Sequence, residues 1–280
     1  MRIFISTDME GIGGLSSWSD MEGPARAANY GAAQRELSWM IGELLASPRG
    51  GEIEEICVCD SHARGEGIPY GTFGDARVNQ VRGFPRAYYM MQCLDAGFDL
   101  AFLHGYHSRI GAEGGVMDHS YSASCIYRVL LDGREVGEVE INSLLAGHYG
   151  VPVGLVSGDS ALESQLGGFF AVPPAFVRTK EGIGRFAAKM YPPERLEPAF
   201  RAAARGALDA LPRLEPVRPA ARTRLRLELA STVVADAVAT IPGLARTGGR
   251  SVEYRSRDFR DVYRMINAVA MLGGKFASWT

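Results

Sequence analysis

The chain has 280 residues, 46% hydrophobic and 22% charged, with a formal net charge of −2. That length can bury a full core in one large unit or two unequal ones, and the near-neutral charge gives no electrostatic reason to expect nucleic acid or an anionic membrane as partner. No apolar run approaches the roughly 20 residues of a transmembrane helix.

From the N-terminus, Ile3-Phe4-Ile5 reads as a short buried strand that runs straight into Thr7-Asp8-Met9-Glu10-Gly11. An acid this early leaves no room for a signal-peptide core. Four cysteines without CxxC spacing make no disulfide framework, and the expected compartment is the cytoplasm. Ala25 to Leu45 carries apolar residues at helical spacing, and Ser47-Pro48-Arg49-Gly50-Gly51 breaks it. A second strand, Ile56-Cys57-Val58-Cys59, ends in Asp60-Ser61-His62. A third, Leu100-Ala101-Phe102-Leu103, ends in Gly105-Tyr106-His107. Tyr127 to Leu131, Asp132-Gly133 and Glu135 to Ile141 read as a hairpin with a tight Asp-Gly turn and a bulge near Gly137. Val151 to Val156 is another buried strand, ending at Gly158-Asp159.

Past Val172-Pro173-Pro174 the pattern changes. A helix is expected from Pro193 to Leu211, a strand over Thr223 to Leu229, a helix from Ser231 to Ala239 and a strand over Ser251 to Tyr254. The closing helix, Phe259 to Leu272, has Val262, Met265, Ile266, Val269 and Leu272 on one face. The expected fold is α/β. Residues 1–190 form a mainly parallel sheet with flanking helices that carries a metal site, and residues 191–280 form a smaller C-terminal α+β domain.

Open α/β sheets place their sites beyond the carboxyl ends of the strands, which is where Asp8, Glu10, His62 and His107 fall. Asp8 and Glu10 are two residues apart and point the same way if extended. Such a close pair repels unless a cation lies between its members. Zinc accepts carboxylate and imidazole together, so His62 and His107 complete a plausible donor set, with Asp60 placed to orient an imidazole. Glu138 and Glu140 share one side of the expected hairpin strand. Either could add a third carboxylate, and periodicity does not choose between them. Three carboxylates plus one bridging hydroxide would neutralise two zinc ions.

His119 follows the glycine-rich loop Gly111-Ala112-Glu113-Gly114-Gly115; it reads either as a proton-transfer or oxyanion-stabilising group or as a surface histidine. His104 is expected to face away from the site and His148 to be structural. Gly11-Ile12-Gly13-Gly14 lacks the third glycine of a dinucleotide fingerprint, with Ser16 in its place. Ser61 and Ser120 lie next to histidines in sequence, which is not how a nucleophile and base meet.

Taken in order, several stretches resemble the D-aminopeptidase family of dinuclear zinc peptidases. They are Asp8-Met9-Glu10-Gly11-Ile12, Asp60-Ser61-His62, Gly105-Tyr106-His107, Val116-Met117-Asp118-His119-Ser120 and Val136-Gly137-Glu138 with Asn142, extended by Ala146-Gly147-His148-Tyr149 and Gly158-Asp159. The resemblance covers most of residues 1–190. It implies two zinc ions per subunit, with Asp8 bridging them and Glu10, His62, His107 and Glu138 completing the site. It selects Glu138 over Glu140, and it gives His119 as the catalytic residue outside the ligand set. It further implies short peptide substrates with an N-terminal D-residue such as D-alanine, and a homo-oligomeric, decameric ring of two stacked pentamers. The C-terminal unit would then serve in oligomerisation or channel lining. The loop from His107 to His119 is about one residue longer than the family pattern, and that loop bears on which N-terminal residue is accepted. Three rivals remain at this level: an aminopeptidase for L-residues, a dinuclear phosphoesterase using Arg64 and Arg109 for phosphate, and a non-catalytic metal- or peptide-binding protein.

Overall fold

The computed structural model describes residues 1–279. Twelve strands and six α-helices fall in chain order. They are β1 (Arg2–Thr7), α1 (Arg26–Ala46), β2 (Glu55–Asp60), β3 (Val78–Val81), β4 (Leu100–Tyr106), β5 (Ile126–Leu131), β6 (Arg134–Glu135) and α2 (Glu138–His148). Then come β7 (Val153–Asp159), α3 (Ser160–Gln165), β8 (Ala175–Gly184), β9 (Ala187–Met190) and α4 (Pro193–Ala210). The chain closes with β10 (Thr223–Leu229), α5 (Thr232–Val238), β11 (Ala245–Arg246), β12 (Ser251–Ser256) and α6 (Phe259–Phe276).

A seven-stranded sheet runs in the order β3-β2-β1-β4-β7-β8-β9. All its pairings are parallel except β8–β9. Strands β1, β4 and β7 are apolar on both faces because helices cover both. On one face α1 and α4 pack together, with Leu37, Met40, Leu44, Phe200 and Ala204 over Ile3, Ile5 and Phe102. On the other, Val139, Ile141 and Leu145 of α2 belong to a core shared with α6 and a second sheet. That second sheet is antiparallel, in the order β11-β12-β10-β5-β6. In α6 the residues Val262, Met265, Ile266 and Val269 are buried, as the 3.6-residue period predicts, while Leu272 is half-buried.

One expectation changes. Residues after Gly137 form a helix, not the second arm of a hairpin. The Asp132-Gly133 turn holds, with both residues at positive φ, but strand β6 stops at Glu135. The Gly137 N–H then donates to the Glu140 carboxylate at 3.0 Å and so caps the N-terminus of α2. Helix α2 is buried nearly all round, so its sequence shows no amphipathic period to betray it. Packing crosses residue 190 in both directions. Helix α4 packs on α1, β7 and β8 of the large sheet, and β5–β6 pair into the sheet that β10 and β12 build.

Candidate metal centre

Strands β2, β1 and β4 lie side by side and parallel, so their carboxyl ends meet on one edge of the sheet. Asp8 and Glu10 leave β1, His62 leaves β2 and His107 leaves β4. Glu138 arrives separately, on the first turn of α2. His62 Nδ1 stands 3.3 Å from Asp8 Oδ1 and 3.1 Å from Glu10 Oε2. His107 Nε2 is 3.5 Å from both Asp8 Oδ2 and Glu138 Oε1. His119 Nε2 is 3.9 Å from Glu138 Oε1, and its ring stacks on His107 with centroids 4.0 Å apart. The three carboxylates are almost fully buried. They line a cleft of about 210 Å³ whose wall also includes Trp18, Tyr89 and Tyr121. All six residues singled out in the sequence therefore converge.

The loop that carries Asp8 and Glu10 is tied down from below. Asp8 N–H donates to His104 O at 2.8 Å and Gly11 N–H to Gly105 O at 2.7 Å. That approach requires glycine: a Cβ on Gly11 would sit 1.9 Å from Tyr106 O, and Gly105 has φ +72° with Asp8 O 2.4 Å from the Cβ position. Lys180 of β8 is fully buried, and its ammonium donates to the carbonyls of Glu10, Ile12 and Leu15 at 2.5, 2.9 and 2.6 Å. Thr179 adds a bond to Gly11 O at 2.6 Å. Sequence reasoning gave Lys180 no role. A lysine adjacent to alternating strand residues carries no mark that distinguishes a buried anchor from a solvated side chain.

Electrostatics favour a cation at this point. Burial pushes Asp8 up to about 7, with Glu10 adding to the rise. Burial alone would raise Glu10 as well, yet the charge of His62 outweighs it and holds Glu10 well below the carboxylate range. In the same way His107 outweighs burial and lowers Glu138. Against the opposing effect of burial, the acids lift His62 well above its ordinary value and His107 to about 10. His119 moves the other way, lowered by burial and by its neighbour His107. The acids thus demand positive charge, which protons on His62 and His107 supply when no metal does.

The donor chemistry fits a divalent metal. His107 Nε2 is buried without a hydrogen-bond partner, while Nδ1 lies 2.9 Å from Ser108 O. A carbonyl only accepts, so Nδ1 carries a proton in either charge state; Nε2, which lies beside Asp8 and Glu138, is the atom whose lone pair becomes free for a metal once the imidazole is neutral. Two sets of donor atoms lie within 4.8 Å of one another among the described residues: Asp8, Glu10 and His107, and His107, His119 and Glu138. The two sets share His107.

The two glutamates separate as a helix requires. Residues two apart diverge by about 200° around a helix, so Glu138 faces the cleft while Glu140 caps Gly137 and receives Gln165 Nε2 at 2.8 Å. Asp60 differs from expectation. Its carboxylate accepts the Ile68 N–H at 2.8 Å and makes no hydrogen bond to His62; it shapes the following loop. His104 faces the opposite side of the sheet and pairs with Glu36 of α1 at 2.9 Å. His148 lies 3.7 Å from Asp258, away from the cleft.

The D-aminopeptidase family model matches residues 1–268. The chain belongs to the D-aminopeptidase family. It is 27% identical over 268 residues to the D-aminopeptidase of Bacillus subtilis (strain 168), covering 95% of each. Among solved structures it superposes on the Zn-dependent D-aminopeptidase DppA from Bacillus subtilis, a self-compartmentalizing protease. That match has a TM-score of 0.91 and 25% identity, and covers 98% of each chain. This D-aminopeptidase family member is accordingly an α/β metallo-aminopeptidase, and the cleft described above is its candidate metal centre.

Proposed function

We propose that the protein is a zinc-dependent aminopeptidase that releases N-terminal D-residues, such as D-alanine, from short peptides. The reading rests on membership of the D-aminopeptidase family and on one observation above all: three buried carboxylates and three histidines meet in one cleft. Asp8, Glu10, His62, His107 and Glu138 would hold two zinc ions. Zinc, when bound, supplies Lewis acidity to a scissile carbonyl and acidifies water to near pH 7.

His119 has the geometry of a proton-transfer group. Its Nδ1–H donates to Met117 O at 3.0 Å, which leaves Nε2 as the basic atom turned to the cleft. Its lowered pKa keeps it neutral near pH 7, able to take a proton at Nε2 and return it to the leaving amine. The loop is braced by Arg185, 3.1 Å from Asp118, and by the Trp18 ring, 6.3 Å from the His119 ring centre.

The Bacillus subtilis relative is described as self-compartmentalizing, and the proposed assembly here is likewise a homo-oligomeric ring, of decameric size. Residues beyond 190 would contribute to its subunit contacts or channel. Hydrolysis of D-Ala-D-Ala beside L-Ala-L-Ala by the zinc-loaded protein tests the function. Cleavage of the D-peptide alone is expected; preference for the L-peptide would remove the stereochemical part of the proposal.

A further inference from the structure

A second cavity, of about 160 Å³, adjoins the metal cleft and shares with it Ala63, Tyr89 and Tyr121. These three wall residues all hold positive φ, at +48°, +32° and +58°, a backbone state that costs non-glycine residues energy and clusters at ligand sites. Behind them the cavity is lined by Arg86 and by Asn267 of α6. Each brings an unsatisfied donor. Arg86 is held by Asp60 O at 2.7 Å and by Cys59 Sγ at 3.5 Å, but its Nε is buried without a partner. No carboxylate among the described residues lies within ion-pair distance of it, whereas arginines such as Arg2, Arg77, Arg185 and Arg260 are each so paired. Asn267 is only 6% exposed, and its Nδ2 also lacks a partner. The rim is apolar, formed by Phe84 and Met271.

An unpaired guanidinium and a buried amide donor in one cavity call for a small anionic acceptor, because buried donors left unmade cost about 1–3 kcal/mol each. We propose that this cavity is the subsite for the free C-terminal carboxylate of a short peptide substrate, with Arg86 and Asn267 as its recognition residues. The proposal rests on the aminopeptidase reading. In a dipeptide the carboxylate lies one extended residue, about 3.3–3.6 Å, beyond the scissile carbonyl, and the cavity adjoins the cleft across shared wall residues. Selection for short peptides then follows from the chain having to end there, with Phe84 and Met271 flanking a small terminal side chain.

The test compares D-Ala-D-Ala with its C-terminal amide on the zinc-loaded protein. The free acid is expected to be preferred about 10- to 100-fold in kcat/KM, mainly through KM, as a charge-assisted contact implies. Asn267→Asp should collapse that ratio towards one by placing a like charge in the cavity. Since the Asn267 side chain makes no hydrogen bond, this variant breaks none, and unchanged thermal melting would verify its fold. Arg86→Met should do the same and serves as the second variant. Equal cleavage of acid and amide by the wild type overturns the subsite while leaving the aminopeptidase reading intact. A ratio unmoved by Asn267→Asp also overturns it, and an accompanying change in particle size would assign the cavity to a subunit contact instead. Calorimetric binding of acid and amide to the zinc-free full-length protein separates the two ideas. Acid-selective binding, lost in Asn267→Asp, without turnover of any peptide would support the subsite and sink the function.

Discussion

At the residue scale, Asp8 and His119 make opposite predictions. Asp8 lies within reach of both His62 and His107, so Asp8→Ala should abolish zinc retention and activity together. His119→Ala should keep the zinc, since Asp8, Glu10, His62, His107 and Glu138 remain, and lower kcat by about 10²–10⁴-fold, the usual worth of a proton-transfer group. Metal analysis beside turnover checks both; a fully metallated, active Asp8→Ala protein would refute the ligand set. Linkage gives a further prediction. His62 is raised well above its ordinary value and His107 to about 10, so both carry the extra proton at pH 7 in the metal-free protein. Metal ligation needs neutral imidazoles, so zinc uptake at pH 7 should release about two protons, and affinity should fall as pH drops. Calorimetry in buffers of different ionisation enthalpy reads the release directly, and buffer-independent heats would contradict it.

At the element scale, the centre depends on three parallel strand ends and one helix start held in register. Strand β8 supplies the fastening through Lys180, whose three carbonyl partners belong to the loop bearing Glu10. Lys180→Met keeps much of the side-chain volume but leaves those buried carbonyls unpaired. It should cost about 3 kcal/mol or more of stability and weaken zinc binding, as measured by denaturant unfolding and competition with a chelator. Wild-type zinc affinity in that variant would show that the loop needs no anchor. The elements were unevenly legible in the sequence. Strands β1, β2 and β4 stood out because each is an apolar run ending in acid or histidine. Helix α2 did not, because a helix buried on every side has lost the 3.6-residue signal, and Val136, Val139 and Ile141 then read as a flawed strand.

At the scale of the whole molecule, the isolated chain exposes several large apolar side chains, among them Tyr70, Ile183, Phe186 and Trp279. Scattered singly, such residues need no explanation; a closed ring of copies would cover some of them. Sedimentation of the purified protein is expected to show a particle of about ten chains, with the closed symmetry usual for homo-oligomers. A fully active monomer would remove the compartment from the proposal.

By itself the sequence singled out Asp8, Glu10, His62 and His107 as candidate metal ligands, because they follow three buried strands at the end where open α/β sheets place their sites. It also determined the α/β class, since alternating apolar runs and amphipathic stretches admit few other arrangements. Periodicity could not decide between Glu138 and Glu140; the family resemblance selected Glu138, and the tertiary structure supplies the physical reason, because the chain there winds as a helix and turns the two side chains apart. Only the tertiary structure showed that residues 126–135 belong with the C-terminal sheet and that α4 belongs with α1, since strand pairing and helix packing join residues a hundred positions apart. The same holds for Lys180, Arg86 and Asn267. Their significance lies in which groups they meet, or fail to meet, across the fold, and no local pattern encodes that.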